Sequence, residues 1–401
     1  MRECYIYDHV RTPRGRGRRT GGLHGVTSLN LVVQVLKALR ERNALDPHAV
    51  EDVILGVCEP VGEQGANIAR CAALSAGYAP STAGIQINSF CASGLDAVNI
   101  AAAKVVSGQA DLAIGGGVEM MSRVPMDGSG GIVSTDPTLT AHIGSVLQGI
   151  AADAIATMDG FTRQAADAYA VESQRRAAHA WDEGRFDGAV MAVTDINGDM
   201  VLDRDEHLRP ETTEESLAEL KPSFESFARR GFEDVLIQRF PELEAIDPIH
   251  HAGNSSGIVD GAAGVLVGSK DAGTACGLKA RAVIRACASQ GSDPSLMLTG
   301  PETVSARVLK KTGTGIADID LFEVNEAFAS VPLRFLKVFD LDPGRVNVNG
   351  GAIALGHPIG ATGAMLLGTL LDEMERADKQ LGLVTLCAGL GLSTAALVER
   401  V

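Results

Sequence analysis

Along the first third of the chain, short apolar runs alternate with longer stretches whose apolar residues recur at helical spacing. Glu3 to His9 predicts a strand, and Ser28 can cap a helix carrying Leu29, Val32, Val33, Leu36 and Leu39 along one face. Asp52 to Val57 reads as a buried strand, Asn67 to Ala76 as a helix and Ile85 to Asn88 as a strand. An Ala-rich helix then runs from Cys91 to about Val106, and Asp111 to Ile114 forms a strand ending in Gly115-Gly116-Gly117. Strand and helix alternating at this pace predict a parallel sheet covered on both faces.

From Met120 to about His251 the pattern loosens into polar loops around one charged helix, Thr162 to Glu183, which predicts an excursion from the sheet. The segment His251 to Gly257 leads through small residues into a strand over Asp260 to Val267. The last third then repeats the first. Asp320 to Val324 parallels Asp52 to Val57, and Val346 to Asn349 followed by Gly356 to Ala361 parallels Ile85 to Asn88 followed by Cys91 to Leu95. Leu383 to Cys387 parallels Leu112 to Gly116. A near-constant offset predicts two halves of like topology about a pseudo-twofold axis, residues 1–270 and 271–401, with the excursion at about 121–251 inside the first. The helix starts at Cys91 and His357 would then face a shared crevice.

Composition fits a tightly wound α/β protein: 45% of residues are hydrophobic, only 4% are aromatic and 46 are Gly, so packing relies on aliphatic side chains and close backbone approach. The net charge of -15 argues against a nucleic-acid or anionic-membrane surface. One basic loop stands out, with Arg11, Arg14, Arg16, Arg18 and Arg19, and it reads either as a solvated loop or as an anion-binding edge. The seven cysteines include no C-x-x-C pair, so neither a disulfide framework nor a zinc knuckle is expected. Without an apolar signal core or a long apolar run, the chain reads as soluble and cytoplasmic.

In open α/β sheets the ligand crevice lies beyond the carboxyl ends of the strands. Cys91, Asn325, His357 and Cys387 all fall at such ends. A Cys beside a His is an activated nucleophile, and a helix N-terminus favours thiolate. A modest downward shift would let Cys387 shuttle protons near neutral pH. Asn325 could hold a water or donate to an oxyanion, or it could merely cap the helix beginning at Glu326. Backbone amides of the turn Cys387-Ala388-Gly389 could stabilise an oxyanion as well.

These segments resemble the thiolase family, the acyl-CoA:acetyl-CoA C-acyltransferases, nearly end to end. The resemblance rests on Arg11-Thr12-Pro13, Cys91-Ala92-Ser93-Gly94, Gly116-Gly117-Val118-Glu119-Met120-Met121-Ser122, Arg209-Pro210 with Leu220-Lys221-Pro222, and Gly253-Asn254-Ser255-Ser256-Gly257. Asn325-Glu326-Ala327-Phe328, the run Asn349 to Pro358, and Cys387-Ala388-Gly389 complete it. It implies a five-layered α/β fold of two pseudo-symmetric mixed-sheet halves with an inserted loop domain that covers coenzyme A. It also implies cleavage of a 3-oxoacyl-CoA by CoA, or the reverse condensation, with coenzyme A as substrate and no permanently bound cofactor. Cys91 would carry the acyl group, His357 would activate it, and Asn325 would hold a water in the enolate pocket. Cys387 would move the proton at the acetyl carbon, the amides of Cys91 and Gly389 would hold the tetrahedral oxyanion, and Ser256 would touch the pantetheine arm. Relatives form homodimers or homotetramers. The rival readings are a ketosynthase-like condensing enzyme, which would need a second His where Cys387 stands, and an inactive CoA-binding scaffold.

The chain departs from the family at Leu390, inside the Gly-rich run, at Ser393, where a Gly is usual, and at Leu147-Gln148-Gly149, where many members have His-Met-Gly. The last departure puts a substrate-contacting role for that loop in doubt. Extra residues such as Phe232 to Pro248 resemble thiolases of actinobacterial steroid breakdown.

Overall fold

The computed structural model describes residues 2–401. Its N-terminal elements are β1 (Tyr5–Arg11), α1 (Ser28–Arg42), β2 (Asp52–Gly56), α2 (Ile68–Ser75), β3 (Ala83–Ile87), α3 (Ser93–Ser107) and β4 (Leu112–Met120). The excursion contains α4 (Gln148–Asp159) and α5 (Arg163–Asp182), after which β5 (Val259–Gly268) returns to the sheet. The remainder is β6 (Ala282–Gly291), α6 (Gly300–Thr312), β7 (Leu321–Val324), α7 (Ser330–Phe339), α8 (Thr362–Arg376), β8 (Leu381–Cys387) and β9 (Leu392–Arg400).

Strand order is β7-β8-β9-β6-β1-β5-β4-β2-β3, with the pair Gly15–Arg16 added beside β5. The sheet is mixed and not the parallel sheet that the alternation predicts: β2 runs parallel to β3 and β4, and β7 to β8, whereas the other strand pairings are antiparallel. β5 and β9 are the cause, since each folds back along the strand before it. The two halves repeat one another in register. Asp52 pairs with Ala113 and Leu321 with Gly382, a separation of 61 residues in each.

The segment Val346 to Asn349 does not form the predicted strand. Only Val346 bridges to Phe322, and Asn347 turns into the left-handed region at φ 48°. Its side chain replaces the missing ladder: Val324 N–H donates to Asn347 Oδ1 at 2.8 Å, and Asn347 Nδ2 donates to Val324 O at 2.8 Å. Asn tolerates this conformation and supplies both a donor and an acceptor. The three glycines 115–117, expected to end a strand, lie inside β4. A Cβ on Gly115 would come 2.5 Å from Val98 Cα, so the missing side chain is what lets α3 lie against the strand.

Five layers result. α1 and α2 cover the outer face of the N-terminal half through Leu31, Leu36, Ala69 and Ala72, and α6 and α7 cover the C-terminal half through Val304, Val308, Val331 and Phe335. α3 and α8 form the middle layer, and α3 is apolar on nearly every side because strands of both halves pack against it. Two stretches, Phe90–Ser107 and Pro137–Asp159, are long and apolar enough to cross a membrane, but 67% and 56% of the most apolar 18 residues in each are buried inside the fold, as core helices are.

The basic loop is not solvated throughout. Arg11 and Arg14 are buried, and Arg11 makes a two-pronged ion pair with buried Asp205 at 2.8 and 2.9 Å, while the Arg14 backbone N–H donates to Asp205 Oδ1 at 2.8 Å. Only Arg18 and Arg19 are exposed. This pair ties the excursion to the end of β1. The stretch 225–250 packs over α4, with Leu236, Leu243 and Ile246 joining its apolar face. Removing one partner of a buried pair leaves an uncompensated charge, which costs about 3–5 kcal/mol. Asp205→Asn is therefore expected to lower stability by about that amount in urea unfolding, and an unchanged midpoint would remove the anchoring role.

Candidate active site

Cys91 sits on a strained turn between β3 and α3. Phe90 takes φ 52°, and the turn is braced by the Ser93 hydroxyl, which accepts from Ser89 N–H at 2.8 Å and donates to Phe90 O at 2.6 Å. A left-handed non-glycine residue costs of order 1–3 kcal/mol and persists where its surroundings hold it. The equivalent turn of the other half carries His357, whose N–H donates to Gly257 O at 2.8 Å. Backbone contact fixes the two turns against each other. A Cβ on Gly94 would come 2.7 Å from Gly360 O, and one on Gly363 would come 2.3 Å from Leu95 N.

Cys91 is buried with Cys58, Ala92, Met121, Ile359 and Ala388, residues from both halves. The Gly389 N–H, its own N–H and the Gln148 side chain act on its sulfur to favour the thiolate. Burial nevertheless outweighs these donors and pushes the thiol up to about 11. The helix start therefore does not make Cys91 a resting thiolate, contrary to the expectation from the dipole. Cys387 moves in the same direction, raised by burial and by the charges of Cys91 and Glu302, not shifted down into the neutral range.

His357 is held as a neutral base. Its Nδ1 lies 2.6 Å from Thr362 Oγ1, and that hydroxyl donates its single proton to Pro358 O at 3.1 Å. With the hydroxyl proton on Pro358 O, Nδ1 is assigned as the donor, which leaves the lone pair on Nε2. Burial, joined by the charge of Arg14, lowers the imidazole to about 3. Asn325 Nδ2 stands 3.4 Å from His357 Nε2, and Asn325 Oδ1 has no partner among the described residues. The adjoining helix begins only at Ser330, so Asn325 is not its cap.

The structure thus sets the Cys91 and His357 turns against each other through Gly94 and Gly360, with the Gly389 N–H acting on Cys91, Asn325 beside His357, and Cys387 at the end of β8 coupled electrostatically to Cys91. Ser256 is half-exposed, with its N–H on Ala327 O at 3.0 Å and adjacent to the Gly257 carbonyl that receives His357. Leu390 adopts φ 58°, so the interrupted Gly run keeps a left-handed turn at a leucine. Ser393 is accommodated by Gly300, on which a Cβ would come 2.4 Å from Ser393 Cβ.

Sequence reasoning missed three residues. Gln148, in the segment whose role the departure put in doubt, is among the groups that act on the Cys91 thiol. Thr362 was signalled only by its place in the first turn of α8. Glu119, inside a quoted motif, receives Cys58 N–H at 2.8 Å, Gln64 Nε2 at 2.7 Å and Gly360 N–H at 3.0 Å, and so clamps the His357 turn to the N-terminal half.

Residues 4–228 match the thiolase N-terminal domain and residues 278–400 the thiolase C-terminal domain. The chain belongs to the thiolase family. It is 40% identical over 414 residues to the 3-ketoacyl-CoA thiolase of Shewanella frigidimarina (strain NCIMB 400) and 39% identical over 410 residues to that of Erwinia tasmaniensis, covering 100% of both partners in each comparison. The crystal structure of the Bacillus anthracis acetyl-CoA acetyltransferase superposes with a TM-score of 0.86 at 32% identity, covering 100% of this chain and 99% of that one. This thiolase orients its histidine through a threonine, so Thr362→Val should free the ring and the tautomer and lower kcat on the order of tenfold or more without loss of fold. Steady-state kinetics beside a thermal melt would check this, and an unchanged kcat would refute it.

Proposed function

We propose that the protein catalyses CoA-dependent cleavage of 3-oxoacyl-CoA to acetyl-CoA and a shortened acyl-CoA, and the reverse Claisen condensation, through an acyl group on Cys91. The observation that carries this reading is the backbone meeting of the Cys91 and His357 turns at Gly94 and Gly360, with the Gly389 N–H acting on the Cys91 sulfur and Asn325 Nδ2 3.4 Å from His357 Nε2. Membership in a family whose relatives are named 3-ketoacyl-CoA thiolase and acetyl-CoA acetyltransferase supports the reaction class.

In cleavage, His357 Nε2 takes the Cys91 proton as the sulfur attacks C3 of the substrate. The N–H groups of Cys91 and Gly389 receive the oxyanion, where preorganised donors contribute most in a water-poor site. The C2–C3 bond then breaks, and its electron pair becomes the enolate of acetyl-CoA. His357, with a water held by Asn325, binds the enolate oxygen, and the Cys387 S–H protonates the carbon. The CoA thiol finally gives up a proton, which makes good the one that Cys387 lost, and attacks the Cys91 thioester; the tetrahedral intermediate expels the Cys91 thiolate, His357 returns the proton to that sulfur, and the acyl group leaves on CoA. A neutral His357 suits the first step, because an imidazolium could not accept the proton.

CoA is substrate on this reading, and the excursion at about 121–251, with Ser256 beside it, is the element that covers it. Gln148, at the sulfur, replaces the family's apolar contact with an amide and is the residue of this chain that faces the acyl group. The half-exposed edge strand β3 leaves one side unpaired, which a second copy in a homodimer or homotetramer would cover.

Cys91→Ala should abolish cleavage of acetoacetyl-CoA in an enolate-absorbance assay, and wild-type turnover in that variant would sink the mechanism. Cys387→Ala should still acylate Cys91, seen by mass spectrometry, while losing carbon–carbon bond formation. Because His357 acts as a base with its value lowered to about 3, acylation of Cys91 should show no acid limb near the ordinary imidazole value of about 6.5. A loss of acylation on lowering pH through that value would show that His357 takes up its proton there.

A further inference from the structure

The outer face of the C-terminal half holds buried polar atoms that the chemistry above leaves unused. Glu302 and Ser305 lie three residues apart on α6, and Ser330 and Arg334 four apart on α7, so each pair shares a helix face. Arg334 Nε lies 3.3 Å from Glu302 Oε1 without hydrogen-bond alignment, and Arg334 also pairs with Asp159. Both Glu302 oxygens, Ser305 Oγ, Ser330 Oγ and Arg334 Nε are buried with no hydrogen-bond partner among the described residues. Buried polar atoms are ordinarily satisfied, and several in one neighbourhood make a site polar enough to bind water.

This group borders Cys387. Glu302 is in the first turn of α6, where Gly300 packs on Ser393, and Ser393 is the register partner of Cys387. Cys387 shares its apolar surroundings with Val304 of α6 and Val331 of α7. The charged groups acting on Glu302 are Arg334, Asp159 and Cys387. Burial and Asp159 push the Glu302 carboxyl up to about 7 against the pull of Arg334, so it changes protonation near neutral pH.

Taking Cys387 as the group that moves the acetyl proton, we propose that Glu302 is its proton-relay partner, acting through water bound among Ser305, Ser330 and Arg334. In condensation the Glu302 carboxylate takes the Cys387 S–H proton. The thiolate then removes a proton from the acetyl methyl carbon, whose C–H electron pair remains as the enolate. In cleavage the Cys387 S–H protonates the enolate carbon, and the Glu302 carboxylic acid returns a proton to the sulfur.

The test is deuterium exchange into the methyl group of acetyl-CoA in D2O across pH, with acylation of Cys91 by mass spectrometry as the parallel readout. Glu302→Gln should slow exchange on the order of tenfold or more and remove its pH dependence near neutrality, with Cys91 acylation unchanged. Glu302→Asp should restore part of that dependence, which a purely structural role would not do. Wild-type exchange in Glu302→Gln, with Cys387→Ala inert, would overturn the relay alone. Wild-type exchange in Cys387→Ala would take down the assignment of Cys387 and the relay with it. Equal slowing of exchange and acylation in Glu302→Gln would show general damage and also overturn the proposal.

Discussion

The whole arrangement depends on one contact, the backbone-to-backbone meeting of the α3 and α8 N-termini. Gly94, Gly360 and Gly363 have no room for a Cβ, because carbonyl oxygens and amides of the opposite half occupy that space. Close-packed interiors transmit such constraints, since even a methyl group has to be accommodated. Cys91 and His357 are each within a few residues of this contact, so their relation is set by main chain and not by flexible side chains. Glu119 adds a buried carboxylate that takes N–H groups from both halves, on Cys58 and on Gly360.

Burial is what the electrostatics of the site obey. The helix dipole and three donors favour the Cys91 thiolate, yet desolvation is the larger effect, as it is at Cys387 and His357. The resting site is thiol, thiol and imidazole, with no charge among the three. On the proposed mechanism, charge is created only when a substrate completes the site, at the moment when the amides of Gly389 and Cys91 have an oxyanion to hold. A neutral resting state also spares the core the cost of an unpaired buried ion.

Much of this was legible in the residues because the fold repeats itself. The strand and helix order of the first 120 residues, the position of the excursion and the equivalence of the Cys91 and His357 turns follow from periodicity and from the near-constant offset. The mixed sheet was not legible, because β5 reads the same whether it runs parallel or antiparallel to β4. Asn347 looked like a strand residue and became a side-chain substitute for a strand, a choice made by Val324's need for a partner. Arg11 and Arg14 looked like surface charge because Asp205, which buries them, lies far along the chain. Gln148 and Thr362 were invisible for a related reason: each acquires its role from a distant backbone turn and not from its neighbours in sequence.

The two halves differ most where the repeat is joined. In the C-terminal half, β8 passes to β9 through the tight turn Ala388–Gly391, stabilised by Ala388 N–H on Leu392 O at 2.7 Å. In the N-terminal half the same connection, from β4 to β5, is opened into the excursion that carries Gln148. A symmetric pair of tight turns would present equal amides to both sides of the crevice and leave it open. Replacing one of them with a long insertion gives the crevice a wall of its own on one side and keeps the Gly389 amide on the other. On the proposed mechanism, a symmetric frame can then treat the two ends of one substrate differently, holding the oxyanion over Cys91 and the enolate beside His357.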